Sequence, residues 1–237
     1  ENLEDTIELL YKMVNTISNL TKWNGHLYNW YNIETLEPLI PRYISSVDSG
    51  NFVGYLYVLK QFLLKEKEEI DKIDKKTDEL INKLINDSMT DYDKIKTIHD
   101  YIINNAKYDV ERNLTGNSNY KSYNAYGPLF EGYATCNGYT DLMAIFLNKM
   151  GYDNYKIATT PEEISYSATG HIWNAVKVDG KWLHLDLTWD DPVSNDGKDY
   201  LFHTYFLKTT EEVKDADDGE TVIEEHNFNS LYYLEFN

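Results

Sequence analysis

Two strand-like runs, His171–Val178 and Lys181–Trp189, are separated only by Asp179-Gly180. Asp-Gly between such runs signals a two-residue hairpin, because the favoured turn needs positive φ at both central residues and Asp and Gly reach it at low cost. So tight a turn sets the register. Residue 178 faces 181, and each step back along one strand is a step forward along the other. Trp173 then faces Asp186, and His171 faces Thr188. His171 and Asp186 become diagonal neighbours on one face, with Cβ atoms roughly 7 Å apart or less, within reach of an imidazole–carboxylate hydrogen bond. The other face carries Ile172, Val176, Val178, Leu183, Leu185 and Leu187, an apolar set suited to a core. His184 faces Ala175, one step deeper on the His171 face, and reads as structural. Asn174 points to the opposite face and reads the same way.

The lone cysteine, Cys136, lies in the loop Gly132–Gly138, which leads into a helix striped by Leu142, Ile145, Phe146 and Met150 and stopped at Gly151. Cys136 therefore falls in or just before the first helical turn. The unpaired amides there favour a thiolate, and the Cys136 backbone N–H is a natural oxyanion donor. Should this helix pack on the hairpin, thiol, imidazole and carboxylate line up, with His171 taking the thiol proton and Asp186 holding the ring's tautomer. Spacing alone leaves the plainer alternatives open: a small buried cysteine and a hydrogen-bonded structural histidine.

The rest of the chain divides by pattern. Leu9, Leu10, Met13 and Ile17 share a helical face. An aromatic, turn-rich stretch follows from Trp23 to Tyr31, and Val53–Leu64 reads as a second helix. The charged run Lys65–Lys76, a solvated helix or a linker, marks a boundary and suggests segments 1–66 and 67–237. Thr90 and Asp93 have capping-box spacing ahead of an Ile-rich helix. The acidic stretch Thr209–His226 reads as a mobile loop. With 22 Lys+Arg against 40 Asp+Glu, the net charge of −18 disfavours nucleic acid and anionic membrane surfaces. No apolar run is long enough for a membrane span. One cysteine excludes an intramolecular disulfide and a CxxC zinc site, which fits a cytosol or a bacterial exterior.

Residues 121–139, KSYNAYGPLFEGYATCNGY, resemble the nucleophile region of the bacterial transglutaminase-like superfamily, and 170–192, GHIWNAVKVDGKWLHLDLTWDDP, resemble its His and Asp blocks. The helix pair at 77–106 is similar to the family's lead-in, and the resemblance extends over about 70–237. It implies an α+β fold, a papain-like core in which the helix carrying the cysteine packs on an antiparallel sheet. It also implies Cys136 as nucleophile, His171 as base and Asp186 as orienter. Tyr126 and Asn124 stand where the signature precedes the cysteine, as candidate oxyanion or substrate residues, with buried packing the alternative. Trp173 and Trp189 flank the pair, more as shields from water than as substrate contacts. Asn137 replaces the family's frequent Gln, and Ile172 a small residue. Within residues 1–64, WNGHLYNWYNIETLEPLIPRYISSVDSGNFVGYLYVLKQFL resembles a segment of cyclic β-1,2-glucan synthases and related glycoamylase-like proteins. A piece this short cannot close their helical toroid, so it implies a helical cap, with Trp23, Trp30 and Tyr31 in packing roles before sugar-stacking ones.

No metal or cofactor is expected. The acidic loop of Asp190, Asp191, Asp196, Gly197 and Asp199 fails the calcium-loop pattern, Asp190 and Asp191 serving instead to close a turn before Pro192. His171 and His184 lack zinc-site companions, and no phosphate-cradling glycine loop occurs. The expected chemistry is acyl transfer on protein or peptide amides through a thioester, of protease, deamidase or transglutaminase type. Its partner is a protein or peptide, cell-wall material included, and the favoured address is the surface of a Gram-positive bacterium, with the cytoplasm as the other. The alternative is a non-catalytic module that binds peptide or glycan on the same fold.

Overall fold

The computed structural model describes residues 3–159, 170–194, 196, 198–215 and 226–233, and these divide into two units, Glu1–Glu68 and Glu69–Asn237. The first unit opens with helix α1 (Leu3–Asn19). Asn24 and Gly25 follow, both at positive φ, and turn the chain between the short antiparallel strands β1 (Lys22–Trp23) and β2 (His26–Leu27). Asn-Gly makes the same kind of turn as Asp-Gly. Helix α2 (Ser46–Leu84) begins in this unit and ends in the second. The helix read over Val53–Leu64 is present, and of the two readings of the charged run after it the solvated helix is the one found, so the two join into one helix. The charged run 65–76 lacks Gly and Pro, so nothing interrupts the backbone hydrogen bonding across it. The packing role expected for Trp23 and Trp30 is corrected, since both are more than half exposed.

In the second unit Thr90 caps α3 (Asp91–Asn105) with a reciprocal capping box to Asp93. That helix buries Ile95, Ile98, Ile102 and Ile103. The chain continues through β3 (Lys107–Tyr108) and α4 (Val110–Thr115), a π-helical turn at Gly127–Glu131, and β4 (Tyr133–Ala134), which pairs in parallel with β3. Helix α5 (Cys136–Lys149) comes next. It packs on a sheet of β5 (Asn154–Ala158), β6 (Ile172–Val178) and β7 (Lys181–Leu185), in that order and antiparallel throughout. This is the expected α+β arrangement, with the cysteine helix on an antiparallel sheet.

Asp179 and Gly180 take φ of 50° and 76°, and Val178 pairs with Lys181, Ala175 with His184 and Asn174 with Leu185, the register the turn dictates. Val176, Val178, Leu185 and Leu187 join the main core with Leu142, Phe146 and the α3 isoleucines. The other face is buried as well, around Ile157, Trp173, Ala175 and Phe228, so the hairpin has two inward faces where alternation suggested one. Past β7 lie the short helices α6 (Leu187–Asp190) and α7 (Thr210–Asp215). The stretch expected as a loop from Thr209 therefore starts as helix and ends at a fully buried His226. Residues 216–225 between them, and Gly197 of the acidic loop, lie outside the described residues.

Candidate active site

Cys136 is the first residue of α5, behind an N-cap Thr135 in extended conformation. The entry to the helix is pinned by Ser122, whose carbonyl accepts the Thr135 backbone N–H at 2.8 Å and its hydroxyl at 3.2 Å. That strand of backbone passes so near that a Cβ at Gly138 would lie 2.3 Å from the Ser122 carbonyl oxygen. Only glycine allows this approach without backbone movement. Two hydrogen bonds tie α5 to β6. Thr140 Oγ1 donates to the Ile172 carbonyl at 3.0 Å, and Asn174 Nδ2 donates to the Thr140 carbonyl at 3.1 Å. They hold the start of the helix against His171, one residue before β6.

Asp186 leaves β7 as the N-cap of α6 and is buried. Its Oδ1 accepts the backbone N–H groups of Thr188 at 2.8 Å and Trp189 at 3.4 Å. Its Oδ2 accepts from Nε2 of His171 and, at 2.9 Å, from Nε2 of His226. An ionised carboxylate only accepts, so both rings carry their proton on Nε2. Nδ1 of His171 is then the nitrogen left for Cys136, its hydrogen-bonded partner on the other side. Burial disfavours a charged His171 ring, but the Asp186 carboxylate, with Cys136 adding to it, outweighs burial and holds its pKa well above the usual histidine value. Burial likewise disfavours charge on Asp186, and the two histidines overcome it, keeping the carboxyl well below the ordinary range.

Cys136 and His171 line a cavity of about 340 Å³ together with Tyr108, Asn113, Thr188, Trp189, Asp191 and Val193. Asn137 Nδ2 lies 3.8 Å from the cysteine sulfur. Trp173 is fully buried and stacks on the His171 ring at 5.9 Å, while its Nε1 donates to His184 Nδ1 at 3.0 Å. It backs the histidine and does not reach the cavity. Asn124 and Tyr126 are not brought to the cavity either. Asn124 Oδ1 accepts the Tyr126 backbone N–H, and the Tyr126 ring packs on Phe130 beneath Lys121. His184 is neutral and structural, its pKa pushed down to about 3 chiefly by burial, with the neighbouring His226 and Lys214 adding to it.

Several neighbours escape a reading of the chain. His226 falls in a segment whose acidity suggested only solvent. Asp190 and Asp191 do more than close a turn. Asp190 Oδ1 accepts the Tyr205 backbone N–H, and its Oδ2 stands 3.2 Å from His99 Nε2 without hydrogen-bond alignment. Asp191 accepts from the Tyr139 hydroxyl, and burial chiefly drives its pKa up to about 6. Among the described residues, two sets, His171–Asp186–His226 and His99–Asp100–His203, bring two imidazoles and a carboxyl close enough together to hold a metal ion. In both, the ring nitrogens meet carboxylate oxygens at hydrogen-bond distance, with His203 2.6 Å and His99 3.0 Å from Asp100 Oδ1. The expectation that His171 lacks companions of the zinc-site kind is thus corrected, since Asp186 and His226 stand beside it.

Residues 78–187 match the family model described as the Transglutaminase-like superfamily. That span contains Cys136, His171 and Asp186. Among solved structures, one described as a crystal structure of a TGase aligns at 17% identity and a TM-score of 0.38, over 65% of this chain and 43% of that one. A putative cysteine protease from Cytophaga hutchinsonii aligns at 20% identity and a TM-score of 0.38, over 49% of this chain and 37% of the other. Separately, 53 residues are 53% identical to the cyclic beta-(1,2)-glucan synthase NdvB of Rhizobium meliloti (strain 1021). That stretch is 22% of this chain and 2% of the synthase.

Proposed function

Taking a transglutaminase-like domain over residues 78–187 as the premise, we propose that the second unit is a cysteine acyltransferase acting on protein or peptide amides. The observation that carries this is the chain of Asp186, His171 and Cys136, its carboxylate and imidazole buried and its half-buried thiol lining one cavity with His171. The Cys136 thiolate attacks the amide carbonyl, and a C–S bond forms. Backbone N–H groups at the head of α5 stabilise the oxyanion. As the C–N bond breaks, the departing amine takes the Nδ1 proton of His171, leaving a thioester. Water then attacks, giving a proton to His171, and the thiolate leaves as the acid forms. An amine in place of water makes a new amide. Asp186 keeps the ring oriented and balances its charge in both steps. At near-neutral pH, iodoacetamide is expected to alkylate Cys136 faster than free cysteine, and His171→Ala to slow it at least tenfold. Equal rates in all three would end this reading. Incubation with acyl-donor peptides and a labelled amine, read by mass, then separates cleavage, deamidation and cross-linking.

A second reading concerns the first unit alone. Trp23 and Trp30 stand in solvent, with Trp30 stacked on Tyr43 at 5.9 Å. Such exposed rings suit the faces of sugars, and the similarity to a segment of a β-glucan synthase agrees. Binding of β-1,2-glucan that survives Cys136→Ala and is lost in Trp23→Ala/Trp30→Ala supports a glycan-binding role. Unchanged retention after the double substitution removes it.

A further inference from the structure

The Asp186 carboxylate serves two imidazoles, and the transglutaminase-like match, which ends at residue 187, contains only one of them. His226 reaches the same oxygen as His171, with Nε2 2.9 Å from Asp186 Oδ2, and all three groups are buried. The second ring is held on several sides. Tyr205 stacks on it at 5.0 Å and 25°, and Trp173 meets it edge-on at 4.9 Å and 75°. The His171 ring stands nearly perpendicular to it at 5.6 Å. A ring so confined cannot swing toward the cavity, and its Nε2–H is aimed at the carboxylate.

We infer that His226 is a positioning residue: by donating to the oxygen that also holds His171, it fixes the Asp186 carboxylate in the orientation that turns Nδ1 of His171 toward Cys136. The inference rests on the acyl-transfer reading above, in which His171 must face the thiol. Without His226 one lone pair of a buried carboxylate loses its donor, and the side chain gains freedom to tilt. The carboxylate would also act on His171 alone, so that ring would hold its proton to higher pH. Other titratable groups near the set are Cys136 from α5, His184 from β7, Lys214 from α7 and the Tyr205 hydroxyl. Cys136 and Asp186 bear on His171 directly, whereas Lys214 acts on His184, which is neutral.

The test uses the intact chain. His226→Phe keeps the ring packing and removes the donor, whereas His226→Gln restores a donor. The pKa of His171, followed by NMR, is expected to rise by at least half a unit in His226→Phe and to return toward the wild-type value in His226→Gln. Iodoacetamide labelling of Cys136 should slow about tenfold in the first and recover in the second. An unchanged His171 pKa and labelling rate in His226→Phe overturn the proposal. So does loss of both without recovery in His226→Gln when circular dichroism shows both variants folded. Should His226→Phe fail to fold, the wild-type protein decides by its imidazole ¹⁵N shifts: a proton on Nε2 of His226 supports the proposal, and a ring protonated at Nδ1 alone refutes it. If wild-type Cys136 reacts only as free cysteine, the acyl-transfer reading fails, while the His171 titration still reports on His226.

Discussion

Asp186 and Asp191 lie five positions apart, and both are buried, yet their surroundings treat them oppositely. Asp186 accepts from two backbone amides and two imidazoles, so its charge is compensated on every side. Asp191 accepts from one neutral phenol, and burial, with the charge of Asp199 adding, raises its pKa to about 6. The sign of the consequence is fixed. A carboxyl that binds its proton more tightly folded than unfolded stabilises the fold below its unfolded pKa and loses that contribution as pH rises through its folded pKa. Asp191→Asn keeps an acceptor for Tyr139 and removes the titration. It is expected to be more stable than the native chain at pH 8 by on the order of 2 kcal/mol, with the gap closing between about pH 6 and pH 4. Urea unfolding of both proteins at pH 8 and pH 4.5 checks this.

At the scale of elements, local chemistry sets the ends and long-range contacts set the rest. Thr90 and Asp93 satisfy each other's backbone amides at the head of α3, so Thr90→Ala should cost about 1 kcal/mol by urea denaturation, with Cys136 reactivity unchanged. The hairpin turn is equally local, which is why the contact of His171 with Asp186 could be read by counting from Asp179-Gly180. The burial of both hairpin faces could not. It depends on Phe228, which packs against Trp173 at 6.0 Å from a distant part of the chain. The length of α2 was obscured for another reason. Its charged middle has the composition of a linker, but it is dominated by Lys and Glu, which favour the helix and keep their charges in solvent.

Across the whole molecule, every residue lining the Cys136 cavity lies within Glu69–Asn237. A fragment beginning at Glu69 is therefore expected to fold cooperatively and to show Cys136 alkylation within about twofold of the intact chain. A drop of tenfold or more would assign the first unit a part in the site. Short-range geometry carries the turn, the register of β6 on β7, the cap of α3, and the place of Cys136 at the head of its helix, and all four follow from the order of residues. What surrounds those groups came from the packing of the folded chain. It set Trp173 behind the imidazole, kept Asn124 and Tyr126 out of the cavity, and gave Asp186 a second histidine forty positions further along. Hydrogen-bond partners and desolvation depend on which distant segments pack together, and no local pattern of residues encodes that.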